Sequence, residues 1–208
     1  MKKALSTNLL APCDPVDHVL GAADAMVDIV EYGDFECPLC GQAHAALKIV
    51  FAHYSPQLRI AFRHFPLREV HPKAELAAEA AEAGAAQGKF WEMHDLLFRN
   101  QRRLDRDCLS DYAAHIGLNV HRFDDEMDTH VHLSRVRHQV AVAEGIPVRA
   151  RPAFFVNGAF TDVSFGLLRL QQAVDEALRV ALHQKVPSMD RASRRAPSPK
   201  PEAKAKVL

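Results

Sequence analysis

No apolar run in the 208-residue chain approaches the length of a membrane-crossing helix, so no membrane span is expected. Net charge is missing too, because 26 Lys and Arg balance 26 Asp and Glu. The chain as a whole therefore gives no electrostatic argument for nucleic acid or an anionic membrane as partner. No glycine-rich phosphate loop and no dinucleotide fingerprint occurs. Histidine is plentiful, with 12 residues, but no His-x-x-x-His pair brackets an acid. The densest group is His121, His130, His132 and His138, near Asp124, Asp125 and Asp128. It reads as solvated helix surface, since His130 and His132 are two apart and point to different sides.

Cysteine is scarce. Of the four, Cys13 and Cys108 are isolated and read as free thiols, which leaves the pair Cys37 and Cys40. Structural zinc takes four ligands. His44 offers a third beside the pair, no fourth is evident, and no metal site is expected.

What remains is ordinary for a soluble globular protein: 48% hydrophobic and 25% charged residues. The length suits one domain with a sizeable core, or one domain carrying an insertion. Residues 1–13 contain the two lysines of a signal peptide. Their apolar core is broken by Ser6, Thr7 and Asn8, no small-x-small cleavage site precedes Asp14, and Pro12 stands where a lipid-modified cysteine needs a small residue. A cytoplasmic address is the expectation, or a periplasmic one if this stretch is an atypical signal. In the cytoplasm a Cys-x-x-Cys reads as catalytic or metal-binding, because structural disulfides are rare there.

Val27 to Tyr32 reads as a buried strand ending at Gly33. From Pro38 the pattern turns helical, with Ala43, Leu47, Val50 and Phe51 along one stripe. Proline suits a first helical turn. Cys37 therefore stands where a strand hands over to a helix N-terminus. Free amides and the positive end of the helix dipole stabilise a thiolate there. Cys40, one turn on, points back toward the sheet, so Cys37 is the attacking sulfur and Cys40 the resolving one.

Leu58 to Phe65 alternates as a second strand, parallel to the first because a long helix joins them. His18 to Gly21 is an edge strand or a tether. From 72 to 145 no strand signal appears. Helices are expected over 72–87, around 90–98, over 107–116 and 120–127, and from a cap at Asp128 or Thr129 to Glu144. Ala153 to Val156 is strand again. Asn157-Gly158 is a hairpin turn, Ala159 to Val163 returns antiparallel, and a closing helix covers Gly166 to about Leu182. The expected organisation is an arm (1–17), a first sheet portion (18–70), a helical insertion (71–146), a second sheet portion (147–184) and a disordered basic tail (185–208). Pro152 starts a strand, where a missing donor is tolerated, and its bond to Arg151 is a candidate for the cis form.

The chain resembles the thioredoxin-fold thiol–disulfide oxidoreductases of the DsbA-like type. The resemblance is carried by Gly33-Asp34-Phe35-Glu36-Cys37-Pro38-Leu39-Cys40-Gly41-Gln42, Arg63-His64-Phe65-Pro66-Leu67, Gly88 to Phe98 and Arg151-Pro152-Ala153-Phe154-Phe155-Val156-Asn157-Gly158. It implies an α/β thioredoxin fold, a mixed sheet flanked by helices, with an inserted all-helical domain. It implies disulfide exchange with protein substrates through Cys37 and Cys40, no cofactor beyond that pair, and a thioredoxin- or glutathione-type redox partner. By the same resemblance, Pro152 is a cis-proline opposite the pair, and the adjoining backbone binds an extended substrate segment.

Arg151 stands where the family often has a smaller residue. It either lowers the Cys37 pKa or points to solvent. Glu31 resembles the buried acid beneath the resolving cysteine and would take its proton; the alternative is a partly exposed edge glutamate. Glu36, next to Cys37, is expected to oppose the thiolate. Leu39 replaces the histidine of strongly oxidising members and cannot donate to the thiolate, so a less oxidising pair is expected. Two other functions remain open: a zinc-binding or redox-switch module without turnover, and a glutathione-dependent transferase or isomerase of the same fold.

Overall fold

The structure, a computed structural model, describes residues 17–145, 151–163 and 167–193. The arm before residue 17, with Cys13, and the tail beyond residue 193 lie outside the described residues. In chain order the elements are β1 (His18–Gly21), β2 (Val27–Gly33), α1 (Pro38–Tyr54), β3 (Leu58–His64), α2 (Ala74–Ala85), α3 (Phe90–Arg99), α4 (Arg106–His115), α5 (Val120–Asp128), α6 (Leu133–Glu144), β4 (Ala153–Val156), β5 (Ala159–Thr161) and α7 (Leu167–Ser193).

The strands form one mixed sheet in the order β1-β3-β2-β4-β5. β2 and β3 run parallel, from Val27 opposite Leu58 to Gly33 opposite His64. β1 pairs antiparallel with β3 as an edge strand, and β4 pairs antiparallel with both β2 and β5. Every residue of β2 except Asp28 is buried. That follows from its place between β3 and β4, with helices on both faces. Asn157 and Gly158 both have positive φ, +47° and +80°, the pattern of a tight hairpin turn that only such residues adopt freely. Asn157 also extends the pairing with β2: its N–H donates to the Asp28 carbonyl, and its Oδ1 accepts from the Asp28 N–H, each at 2.8 Å.

One sheet face carries Val27, Ile29, Leu58, Ile60, Phe154 and Val156 against Leu47, Val50 and Tyr54 of α1 and Leu170 and Val174 of α7. The other carries Val30, Tyr32, Ala61, Phe65, Ala153 and Phe155 against Ala143 of α6. A third cluster belongs to the helices between β3 and β4 and includes Leu97, Leu109, Phe123 and Met127. It is continuous with Phe35, Cys37, Cys40 and Phe62. The cysteine pair therefore sits at the seam between the sheet and the helical stretch.

Two expectations are corrected. α6 begins at Leu133, not at a cap on residue 128 or 129. Thr129 is used to close α5, its hydroxyl donating to the Asp125 carbonyl, and His130 then turns the chain with φ +52°. α7 reaches Ser193, well into the stretch expected to be disordered. Gln184, Lys185, Met189, Arg191 and Ala192 are good helix formers, and they continue the helix past Pro187, which costs about 3 kcal/mol in a helix interior. Of the histidine group, His121, His130 and His138 are exposed, as expected of a solvated surface, and His132 is partly buried; His130 meets Glu79 at 3.1 Å and His132 meets Glu126 at 2.9 Å.

Candidate functional site

The Cys37 backbone is extended (φ −72°, ψ 120°) and caps α1, with Pro38 in the first turn. Its N–H donates to the Asp34 carbonyl, and its own carbonyl accepts the first helical bond, from Gly41, at 3.1 Å. Only 6% of Cys37 is exposed, and Cys40 is fully buried. Both are free thiols. The Cys40 thiol donates to the Cys37 sulfur, and the backbone amides of Cys40 and Leu39 point at the same atom. Together these outweigh the cost of burial and lower the Cys37 pKa to about 6. Cys40 moves the opposite way: its donated hydrogen bond, its burial and the nearby charges of Cys37 and Glu31 all hold its proton on. The two sulfurs have the same chemistry and opposite protonation preferences.

Glu31 lies on β2, on the same sheet face as Ile29, turned toward α1. It is fully buried, and neither carboxyl oxygen finds a hydrogen-bond partner among the described residues. Burial alone raises its pKa to about 8. This excludes the exposed edge glutamate, and its charge is felt at Cys40.

Arg151 does neither of the two things expected of it outright. Its guanidinium lies over the Phe65 ring, 3.6 Å from the centroid, and its Nε donates to the Phe65 carbonyl at 3.0 Å. Half-buried there, it is within electrostatic reach of Asp34, Cys40 and Cys37. The main stabilisers of the Cys37 thiolate are nonetheless Cys40 and the backbone amides. The Arg151–Pro152 bond is cis. β4 starts at the next residue, with Ala153 opposite Tyr32, which puts Pro152 at the end of the sheet from which the cysteine helix departs. Leu39 is 59% exposed, an apolar side chain presented to solvent between the two cysteines.

Glu36, expected to oppose the thiolate, turns its carboxylate to the start of α2. Its Oε2 accepts from the Lys73 N–H at 2.7 Å, before the first turn of α2, where free amides attract it. The acid that raises the Cys37 pKa is Asp34. Asp34 is buried and fully engaged: Oδ1 accepts from the Glu36 N–H, and Oδ2 accepts from the Leu67 N–H and meets His71 Nδ1 at 2.7 Å. It ties the loop before the cysteines to the chain after β3.

Gln101 is also part of the site and was not singled out from sequence. It follows α3, and its Nε2 donates to the carbonyls of Phe35 and Cys37, both at 2.8 Å. A β-carbon on Gly41 would stand 2.2 Å from Gln101 Oε1, so only glycine leaves room for this contact. The available signal was Gly41 itself, a glycine inside a helix directly after Cys-x-x-Cys.

His44 is no third ligand for a metal on the cysteines. Its Nε2 faces Asp95 Oδ1 at 3.4 Å, beside His94. Burial lowers the pKa of both imidazoles, His94 to about 4.

A thioredoxin family model matches residues 14–176. The chain is 42% identical, over 175 residues, to a protein named Na(+)/H(+) antiporter NhaA 3 from Salinispora tropica; the match covers 84% of this chain and 27% of that one. It is 46% identical over 155 residues to one named Na(+)/H(+) antiporter NhaA 1 from Mycolicibacterium vanbaalenii, covering 72% and 25%. The chain thus spans about a quarter of the length of these curated relatives. Among solved structures, a thioredoxin-like oxidoreductase from Silicibacter pomeroyi DSS-3 matches with TM-score 0.70 at 26% identity, covering 80% of this chain and 94% of that one. The alpha-DsbA1 protein of Wolbachia pipientis matches with TM-score 0.76 at 20% identity, covering 86% and 99%. Oxidised BdbD from Bacillus subtilis matches with TM-score 0.74 at 20% identity, covering 81% and 96%. The last two likenesses are of fold. No helix among the described residues is long and apolar enough to cross a membrane.

Proposed function

The chain belongs to the thioredoxin family, and on that premise we propose that it exchanges disulfides with thiols on protein substrates through Cys37 and Cys40. The observation that carries this reading is the split between the two sulfurs: Cys37 at a helix start with its pKa lowered to about 6, Cys40 buried and held protonated. The Cys37 thiolate attacks a substrate disulfide. A Cys37–substrate bond forms and the other substrate sulfur leaves as thiolate. Cys40 then gives up its proton, attacks the Cys37 sulfur and releases the second substrate thiolate. The pair is left oxidised, and the substrate has gained two electrons. In the opposite direction the same steps oxidise a substrate dithiol. Exchange itself needs no further cofactor.

Glu31 is the group suited to accept the Cys40 proton, being buried and close enough for its charge to act there. With a pKa of about 8, about a tenth of it is ionised at pH 7. Exposed Leu39 and the backbone beside Pro152 are the surfaces offered to an extended substrate segment. Leu39 between the cysteines supports a pair less oxidising than the strongly oxidising members, and the Cys37 pKa of about 6 weighs the other way. A thioredoxin- or glutathione-type partner then returns electrons to it.

The test is the equilibrium reduction potential of the pair, titrated in glutathione buffers. A value near about −270 mV means a reductase-like role, and one near about −120 mV means an oxidant in an oxidising compartment. If no Cys37–Cys40 disulfide forms at any poise, the zinc or switch reading replaces exchange.

A second reading is favoured by the relatives named as antiporters: the exchange partner is a membrane transporter. A Cys40→Ser chain that traps mixed disulfides in the membrane fraction supports it, and trapping of soluble proteins alone rejects it.

A further inference from the structure

Between α1 and α3 lies a groove of about 670 Å³ that the exchange mechanism does not use. Its walls are apolar, with Leu47, Phe51 and Trp91 among them, and on its floor stand His44, His94 and Asp95. One donor atom from each of these three lies within 4.8 Å of the other two. His44 Nε2 and His94 Nδ1 both face the same carboxylate oxygen, Asp95 Oδ1, at 3.4 and 3.7 Å. His94 is only 2% exposed, and neither of its ring nitrogens has a hydrogen-bond partner among the described residues. A buried imidazole without partners is costly unless something fills its valence. The other Asp95 oxygen, Oδ2, is occupied: it is bonded to Lys48 and faces the Arg99 guanidinium at 3.5 Å. Oδ1 is left turned to the imidazoles.

We propose that His44, His94 and Asp95 form a divalent transition-metal site, with two imidazole nitrogens and one carboxylate oxygen as ligands and the groove at the open position. The donor set is the kind zinc takes when it keeps a position free. Donors bound at zinc distances in a tetrahedron stand roughly 3.4 Å apart. The His44–Asp95 and His94–Asp95 separations, 3.4 and 3.7 Å, are close to that value. An ion there joins α1, which begins at the cysteine pair, to α3. The ligands come from two helices and no pair shows helical metal spacing, which is why sequence alone gave no sign of the site.

The cysteines could bind zinc themselves, so the test uses the full chain with Cys37→Ser and Cys40→Ser. Zn²⁺ alone is titrated by calorimetry. One ion per chain is expected. Adding Asp95→Asn, or separately His44→Gln, weakens binding at least tenfold. Asp95 is a quarter exposed and asparagine is isosteric, so that variant keeps the fold, which circular dichroism checks. A second measurement uses the same Cys37→Ser, Cys40→Ser chain with Co²⁺: visible ligand-field bands are expected, and they disappear in Asp95→Asn. Absence of saturable binding overturns the site, as does affinity unchanged by both substitutions.

Discussion

The side-chain amide of Gln101 donates to the carbonyl oxygen of Cys37 at 2.8 Å, across 64 residues of chain. The helical stretch between β3 and β4 thus holds the residue that caps the cysteine helix. Gln101→Leu removes this donor from the Phe35 carbonyl and leaves the Cys37 carbonyl with only its helical bond from Gly41, at a cost of about 1–3 kcal/mol. Cys37 then sits less squarely on the α1 amides, and its pKa rises. Gly41→Ala should do the same without touching Gln101, by filling the space of its Oε1. The double variant should cost little more than the worse single, measured by urea unfolding and by the pH profile of thiol alkylation.

Alkylation of Cys37 should be half-maximal near pH 6, far below an ordinary thiol. The linked stability has a definite sign. A thiol whose folded pKa is lowered from 9.0 to about 6 stabilises the reduced fold increasingly from pH 6 to 9, and that contribution is lost as pH falls through 6. Cys37→Ser should remove this slope. A reduced protein equally stable at pH 6 and pH 8.5, compared with the variant, contradicts it.

Glu31 carries the opposite slope. Its carboxyl ionises near pH 4.5 when unfolded and near 8 when folded, so raising the pH between these values favours unfolding. Glu31→Gln should therefore stabilise the protein at pH 7.5, by on the order of a few kcal/mol, and hardly at all at pH 4. The same variant should slow the release of mixed disulfides and flatten their dependence on pH near 8. Release with an unaltered pH profile would remove Glu31 from proton transfer.

Cys40→Ser should accumulate covalent Cys37–substrate species on non-reducing gels, and Cys37→Ser should accumulate none. Trapping by Cys37→Ser alone would reverse the assigned roles of the two sulfurs, and equal trapping by both variants would abolish the distinction between them.

Asp34→Asn should lower the Cys37 pKa further, because Asp34 is the acid that opposes the thiolate. It should also destabilise the fold, since the carboxylate holds the Leu67 amide and His71. Alkylation kinetics and thermal melting separate the two effects.

The strand into Cys37, the helix after it and the Asn157-Gly158 hairpin were legible because each depends on neighbours in sequence. The parallel pairing of β2 and β3 followed from the helix that joins them. Gln101 and Asp34 were not legible as part of the site, since each acts on backbone groups brought near only by the fold. The direction of Arg151 was likewise hidden: the Phe65 ring that receives it lies 86 residues away. Glu36 was misread because the amide that captures it belongs to the start of α2. The end of α7 was misread because a Pro- and Ser-containing composition outweighed, on paper, the tendency of a formed helix to continue.

The central pairing of β2 with β4 also imposes an order in time. Tyr32 lies beside Ala153, with all of α1 to α6 between them in the chain. A ribosome therefore delivers both cysteines more than a hundred residues of synthesis before the strand that completes their surroundings. Until then β2 has one open side, rich in Val and Ile, of the kind that pairs with any available strand. The nascent chain is most exposed to misassembly while its thiols are already present and their surroundings are not.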